Sequence, residues 1–296
     1  IIGAGAAGLA AARQLHGAGA SVLVIEARHR MGGRILTHRA EANDLPLELG
    51  AEFVHGRPPA IFDLVEAAGL PASEVSGDLV FSEGGALRIL DDFSQIVTKI
   101  DEQIDPRANA SYEQFLKSIR APEFHKMIAK SYVEGFNAAK AELISAASVA
   151  IADRAAKKIE AQKQFRLPSG YDNIIRELAR VLPQGCIRFD HIVREIRWKQ
   201  REVEVRCLGG GEEIRFFARR LITTLPLSLL RLRPDEPGGI SFDPPLTAKA
   251  DALARGKVGH VMKVIMHFRE RFWEDPRVVG ETVTFGFSIC LDAAFP

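Results

Sequence analysis

Near the start of the chain, Gly3-Ala4-Gly5-Ala6-Ala7-Gly8 sets glycine at GxGxxG spacing between an apolar pair, Ile1-Ile2, and a helix-like stretch from Leu9 to His16. Gly3 permits a tight turn, Gly5 lets a pyrophosphate approach the backbone, and Gly8 lets a helix pack closely on a strand. The helix N-terminus offers unpaired N–H groups and a partial positive charge to phosphate oxygens. Glu26 ends the strand-like run Val22-Leu23-Val24-Ile25 and lies 18 residues beyond Gly8. That is near the spacing at which a carboxylate meets a ribose diol and repels a 2′-phosphate. The chemistry these residues can do is to hold a dinucleotide. The plainer alternative, a glycine turn with no ligand, leaves the agreement of strand, helix and terminal acid unexplained.

The run continues Glu26-Ala27-Arg28-His29-Arg30-Met31-Gly32-Gly33-Arg34, where two glycines allow a second close backbone approach and Arg34 can neutralise phosphate. The alternative for these arginines is a solvated basic turn. Far along the chain, Val261-Met262-Lys263-Val264-Ile265-Met266-His267-Phe268 alternates as a strand would, which puts Lys263 on one face with Val261 and Ile265. A lysine buried there would have a depressed pKa and a chemical use; on an edge strand it would reach to water instead.

With Leu47-Glu48-Leu49-Gly50-Ala51-Glu52-Phe53-Val54-His55-Gly56 added to these pieces, the sequence resembles the FAD-dependent amine oxidase family, which includes monoamine and polyamine oxidases and flavin-dependent histone demethylases. Ser131 to Ala139 is similar to a stretch in bacterial members, and Phe165-Arg166-Leu167-Pro168-Ser169-Gly170-Tyr171-Asp172 to the family's Gly-Gly-Tyr turn, with Ser169 in place of the first glycine. The resemblance implies FAD as cofactor. Motif and resemblance together give a cofactor-binding set of Gly3, Gly5, Ala7, Gly8, Glu26, Ala27, Arg28, Gly33, Arg34, Gly50, Ala51, Glu52, Val193, Thr224 and Pro226. In that set Val193 presents its backbone to the adenine, and Thr224 and Pro226 match a Thr-x-Pro element near the flavin. Lys263 matches the lysine that holds a water against the flavin, and His55 is the candidate for tuning the substrate amine; both are expected to be catalytic. The implied reaction removes a hydride from the carbon beside a neutral amine. The imine is then hydrolysed, and dioxygen reoxidises the flavin to give hydrogen peroxide. Monoamine, polyamine and amino-acid substrates stay open, as do a carbon–carbon desaturase or protoporphyrinogen-oxidase-like enzyme and a non-catalytic FAD-binding chain.

The elements that must position these residues read as α/β, a Rossmann-like FAD-binding domain interleaved with an α+β substrate-binding domain. The expected division is 1–60 for the FAD-binding domain, 61–160 for a helical substrate domain, 161–233 for the FAD-binding domain again and 234–296 for the rest of the substrate domain. Helical periodicity marks 61–68, 93–104, 112–119, 123–136 and 144–158, interrupted by strands around 79–81 and 87–89 that turn at Gly84-Gly85. The aromatics of the 131–139 stretch read as core. Strands are expected at 187–189, 192–198 and 203–207, with Val203 and Val205 facing one way, and at 221–226 before Pro226.

Composition bounds the rest. The 296 residues are 47% hydrophobic with 39 Lys+Arg against 38 Asp+Glu, enough chain for two domains and no charge excess to grip nucleic acid or an anionic membrane. No apolar run reaches a spanning length. Three scattered cysteines, Cys186, Cys207 and Cys290, suggest a reducing, cytoplasmic setting, and no metal spacing is present. The expected partners are a small-molecule amine and dioxygen. Both termini read as cut, and the resemblance implies further substrate-domain and flavin-contacting segments beyond Pro296.

Overall fold

The computed structural model describes residues 1–40, 43–75, 80–83, 86–89, 92–266, 268–270 and 290–292, with backbone only at 40, 43–45, 80–83, 86–89 and 290–292. In chain order the first elements are α1 (Ala6–Gly17), β1 (Val24–Ile25), β2 (Thr37–Ala40), β3 (Asn43–Glu48), β4 (Val54–His55), α2 (Pro59–Ala67), β5 (Ser73–Val75), β6 (Val80–Glu83) and β7 (Ala86–Ile89). Four helices follow, α3 (Phe93–Asp101), α4 (Tyr112–Ser118), α5 (Glu123–Asn137) and α6 (Ala146–Lys157), then β8 (Gln164–Arg166) and α7 (Asp172–Ala179). The last are β9 (Ile187–Arg188), β10 (His191–Lys199), β11 (Glu202–Gly209), β12 (Glu212–Ala218), α8 (Leu227–Leu230), β13 (Ser241–Asp243), α9 (Ala250–Arg255) and β14 (Cys290–Asp292). The chain divides into two units, one of Ile1–Glu52, Pro59–Ala72 and Leu167–Val258, the other of Phe53–Pro58, Ser73–Arg166 and Gly259–Pro296.

In the first unit, β1 pairs in parallel with β9, and isolated parallel bridges join Ile2 to Ile25 on one side and to Thr223 on the other. Four parallel segments therefore lie side by side in the order β9, β1, Ile2, Thr223. The strand expected over 221–226 is reduced to that one bridge, with Ile2 donating its N–H to Ile222 O and Thr224 donating to Ile2 O. A second sheet runs β12-β11-β10-β13. Alternation along β11 buries Val203, Val205 and Cys207, which join Ile2, Ile25, Val193 and Ile196 in one apolar cluster. Burial also pushes the Cys207 thiol up to about 11. The hairpin of β2 and β3, not expected from the sequence, completes the part of this unit that matters below.

The second unit is mainly helical. On α3, Phe93, Ile96, Val97 and Ile100 are buried at helical spacing, forming one apolar stripe. α4 starts with a capping box in which the Ser111 hydroxyl accepts from Gln114 N–H while the Gln114 side chain accepts from Ser111 N–H. α6 starts with Ser145 accepting from Ser148 N–H. Their apolar faces meet in a core of Ile100, Ile104, Tyr112, Phe115, Leu116, Ala129, Val133 and Val149. β6 and β7 pair antiparallel where strands were expected, and β14 adds to β6; Gly84 and Gly85 lie outside the described residues. A small sheet, β4-β8-β5, is built from the stretches where the chain passes between units.

Among the described residues of the strand expected over 261–268, none is in a strand. Residues 256–266 have no regular structure and Val261 to Met266 are exposed, Met262 at 86%. Alternating apolar residues make a strand only where a neighbour supplies a ladder, and no described strand lies beside this segment. Lys263 is exposed with them rather than held between buried valine and isoleucine, and His267, Phe272 and Trp273 lie outside the described residues.

Among the helices one buried acid stands out. Asp101 accepts a 2.6 Å hydrogen bond from the Tyr112 hydroxyl, and burial raises its pKa from 3.8 to about 6 against the lowering effect of that bond, with Asp153 adding to the rise and Lys157 opposing it. A native pKa above the unfolded one means the folded chain binds more protons between pH 4 and 6. Its contribution is complete below about pH 4 and is lost as pH rises through 6. Asp101→Asn, measured by urea unfolding, is expected to stabilise this unit by on the order of 2 kcal/mol at pH 7.5 and to do little at pH 3.5.

Candidate functional site

The GxGxxG turn is fixed by contacts that tolerate no side chain. A Cβ on Gly8 would collide with the Gly3 carbonyl oxygen, and one on Gly3, whose φ is +100°, would come within 2.7 Å of Thr224 Oγ1. Thr224 holds this arrangement by donating its hydroxyl to Ile2 O at 2.8 Å. The turn thus places α1 directly after the Ile2 segment, with Ala6 and Ala7 exposed at its start and no side chain capping it. The first-turn N–H groups are left for a ligand or for water.

Glu26 ends β1 beneath the turn. Its carboxylate accepts from Ala4 N–H at 2.8 Å and from Arg28 N–H at 3.0 Å, so it braces the turn while each oxygen keeps a further lone pair. The double glycine comes alongside: Gly5 and Gly32 form a parallel bridge, and Gly32 donates to Ala4 O. A methyl on Gly5 would lie in ordinary contact with the second turn, 3.9 Å from Gly33 Cα. Arg30 folds back to donate to Met31 O, Gly33 O and Ile35 O, so it staples the second turn; burial, then repulsion from Arg28, lowers its pKa. Among described residues no hydrogen bond or ion pair takes the side chain of exposed Arg34. Two glycine turns brought together, an uncapped helix start and a nearby arginine fit a diphosphate, and a carboxylate at the strand end fits a ribose.

Gly50 and Ala51 return to the same place. A Cβ on Gly50 would overlap the Arg34 carbonyl, and Ala51 donates to Arg34 O at 3.1 Å. Val193 is buried beside a bulge that leaves Arg194 unpaired with β11, and His191 donates its N–H to Glu26 O. Pro226 is exposed two residues past Thr224, while Glu52 and Ala27 lie in the same unit. The first unit therefore carries the whole expected cofactor set. An open depression of about 500 Å³, lined by His16, Ser21, Leu23, Pro183 and Cys186, lies at the opposite end, where β1 and β9 begin. Ligands of parallel sheets bind at the carboxyl ends of the strands, and this depression lies at the amino ends.

His55 and Lys263 belong to the second unit. His55 is half-buried with its ring edge-on to Phe136 at 5.3 Å and tilted to Phe53 at 6.3 Å, and burial lowers its pKa. Phe136 stacks on Tyr132 at 5.5 Å yet is 57% exposed, so the reading of this stretch's aromatics as core holds for Tyr132 and fails for Phe136. The Lys263 segment is anchored where Gly259 presses on Ala138, the left-handed residue ending α5. Among described residues no cluster of His, Cys, Asp or Glu could hold a metal, and no helix is long and apolar enough to cross a membrane. Sequence reasoning missed Arg30 as the staple and Glu48, quoted only as part of a motif; the local double glycine was the available signal for the first.

The family profile described as flavin containing amine oxidoreductase matches residues 6–295. Polyamine oxidase 2 of Arabidopsis thaliana is 28% identical over 333 residues, covering 99% of this chain and 63% of that protein. Lysine-specific histone demethylase 2 of Homo sapiens is 28% identical over 308 residues, covering 95% and 35%. Cyclohexylamine oxidase from Brevibacterium oxydans, a solved structure, shares the fold with a TM-score of 0.69 at 22% identity, over 86% of this chain and 62% of that one. The chain spans less than two thirds of the length of each of these relatives. The steric reading of the turn predicts opposite signs on one helix. Gly8→Ala should destabilise by about 1–3 kcal/mol or more. Gly17→Ala, with open space around the added methyl, should be neutral or stabilise by up to about 1 kcal/mol; thermal unfolding midpoints of the two variants check this.

Proposed function

Because the chain belongs to the flavin containing amine oxidoreductase family, a family that carries FAD, we propose that it provides the cofactor cradle and part of the substrate region of an enzyme oxidising small-molecule amines. The observation that carries this reading is the approach of the two glycine turns, Gly5 bridged to Gly32, at the uncapped start of α1, within a chain matched to the family over nearly its whole length. The chemistry FAD supplies when bound is two-electron oxidation of the carbon beside a neutral amine, to an imine that water hydrolyses, with reoxidation by dioxygen to hydrogen peroxide.

The chain's own residues then divide the work. The N–H groups at the start of α1 and the Arg34 guanidinium hold the diphosphate, Glu26 accepts from the ribose, and Val193 offers its backbone to the adenine. Gly50, Ala51, Glu52, Thr224 and Pro226 bound the ring end. His55, whose pKa burial lowers, favours the neutral imidazole and can accept a hydrogen bond from the substrate amine. Lys263 takes its part, holding a water that serves the flavin, from the sequence resemblance alone.

The test is to load the protein with FAD and follow loss of flavin absorbance without oxygen, against a panel of monoamines, polyamines and amino acids. At least one amine should bleach the flavin, and Lys263→Met should slow the bleaching roughly a hundredfold. Bound FAD that no amine bleaches would leave a non-catalytic flavin-binding chain. Bleaching indifferent to Lys263→Met would instead favour the carbon–carbon desaturase class.

A further inference from the structure

We propose that Glu48 is a positioning residue for the cofactor site, tying the segment that delivers Gly50 and Ala51 to the N-terminus of α7; the proposal rests on the reading of those two residues as cofactor-facing. Glu48 is the last residue of β3, and one carboxylate oxygen accepts from Tyr171 N–H at 2.7 Å while the other accepts from the Thr37 hydroxyl at 2.7 Å. The Thr37 oxygen in turn accepts from Asp172 N–H at 3.1 Å. Tyr171 is the N-cap residue of α7 and makes no side-chain cap of its own, so two of the helix's unpaired donors are taken by residues more than 120 positions earlier in the chain. Thr37 and Glu48 face each other across the hairpin, and Arg39 adds a paired bond to the Asp172 carboxylate at 2.9 and 3.0 Å and another to Ser169 O.

Immediately after this clamp, Leu49 donates to Leu36 O and Ala51 to Arg34 O, and Gly50 lies so near the Arg34 carbonyl that no side chain fits. Arg34 follows directly on the double glycine. The height of Gly50 and Ala51 against the second glycine turn is therefore set from two sides, by Arg34 and Leu36 and by Glu48 through α7. Both bonds of Glu48 are made to a carboxylate, the stronger kind, and its negative charge sits at the favourable end of a helix dipole. Nothing in these contacts requires Glu48 to touch a ligand; it acts through the segment it holds.

Two measurements test this. Apo-protein is titrated with FAD by quenching of flavin fluorescence, and amide exchange at Ala51 is followed in apo-protein. The variants are Glu48→Ala, Glu48→Gln and Leu178→Ala, the last a cavity variant elsewhere on α7. Glu48→Ala should weaken FAD binding and speed Ala51 exchange by about tenfold each, the size expected for losing a hydrogen bond to a charged group. Glu48→Gln, whose amide oxygen still accepts from Tyr171, should stay within about threefold of the parent on both. Changes in Glu48→Ala no larger than those in Leu178→Ala would overturn the proposal. Thr37→Val breaks the same bridge and decides the matter if Glu48→Ala does not fold. Failure of the parent to bind FAD would sink the functional reading, while Ala51 exchange would still decide the role of Glu48.

Discussion

The contact between Gly8 and the Gly3 carbonyl is the constraint on which the first unit depends. It brings α1 so close to the Ile2 segment that the helix starts at the carboxyl end of the parallel array, where a phosphate can meet its free N–H groups. Ile2 can occupy that central place because Ile25 and Thr223 flank it, and the Thr224 hydroxyl closes the arrangement on the Ile2 carbonyl. Glu26 is tied to this turn by its carboxylate on Ala4 N–H, the double glycine by Gly32 N–H on Ala4 O, and the Gly50 segment by Ala51 N–H on Arg34 O. A cradle made of main chain resists side-chain variation, and this accounts for its legibility as a glycine pattern.

The second unit is stabilised differently. Its helices bury apolar stripes, and at their centre an acid kept from water by Tyr112 trades stability for a bond inside the core. His55 sits in this unit among aromatic rings, on a short strand next to a crossing between units. The residues assigned to the cofactor and His55 thus belong to units with separate hydrophobic cores. A substitution that loosens one core need not loosen the other.

What could be read from the sequence was local. Helices α3 to α6 follow from apolar spacing, and the burial of Val203 and Val205 follows from alternation. The glycine motif was readable because sterics forbid anything else at Gly8 and Gly50. What could not be read was remote. No local pattern announces that Glu48 will cap a helix that begins at Asp172, or that the hairpin from Thr37 to Glu48 will face it. The alternation at Val261 to Met266 promised a strand, but a ladder needs a partner and the sequence of one segment cannot supply it. Phe136 looked like core by type, whereas its place depends on stacking with Tyr132 and on the edge of His55.

The parallel array also has an order in time. Ile2 bonds to residues 222 and 224, so during synthesis its segment lacks one of its two neighbours until about 220 further residues (222 − 2) have been made. At ordinary rates of translation that interval is roughly 10–40 s. During it the Ile1-Ile2 edge and the apolar side of α1 have no finished sheet to cover them, while the residues of the helical core, 93 to 150, have already been made. The helical core between residues 93 and 150 can therefore form while the Ile2 segment still waits for its second neighbour.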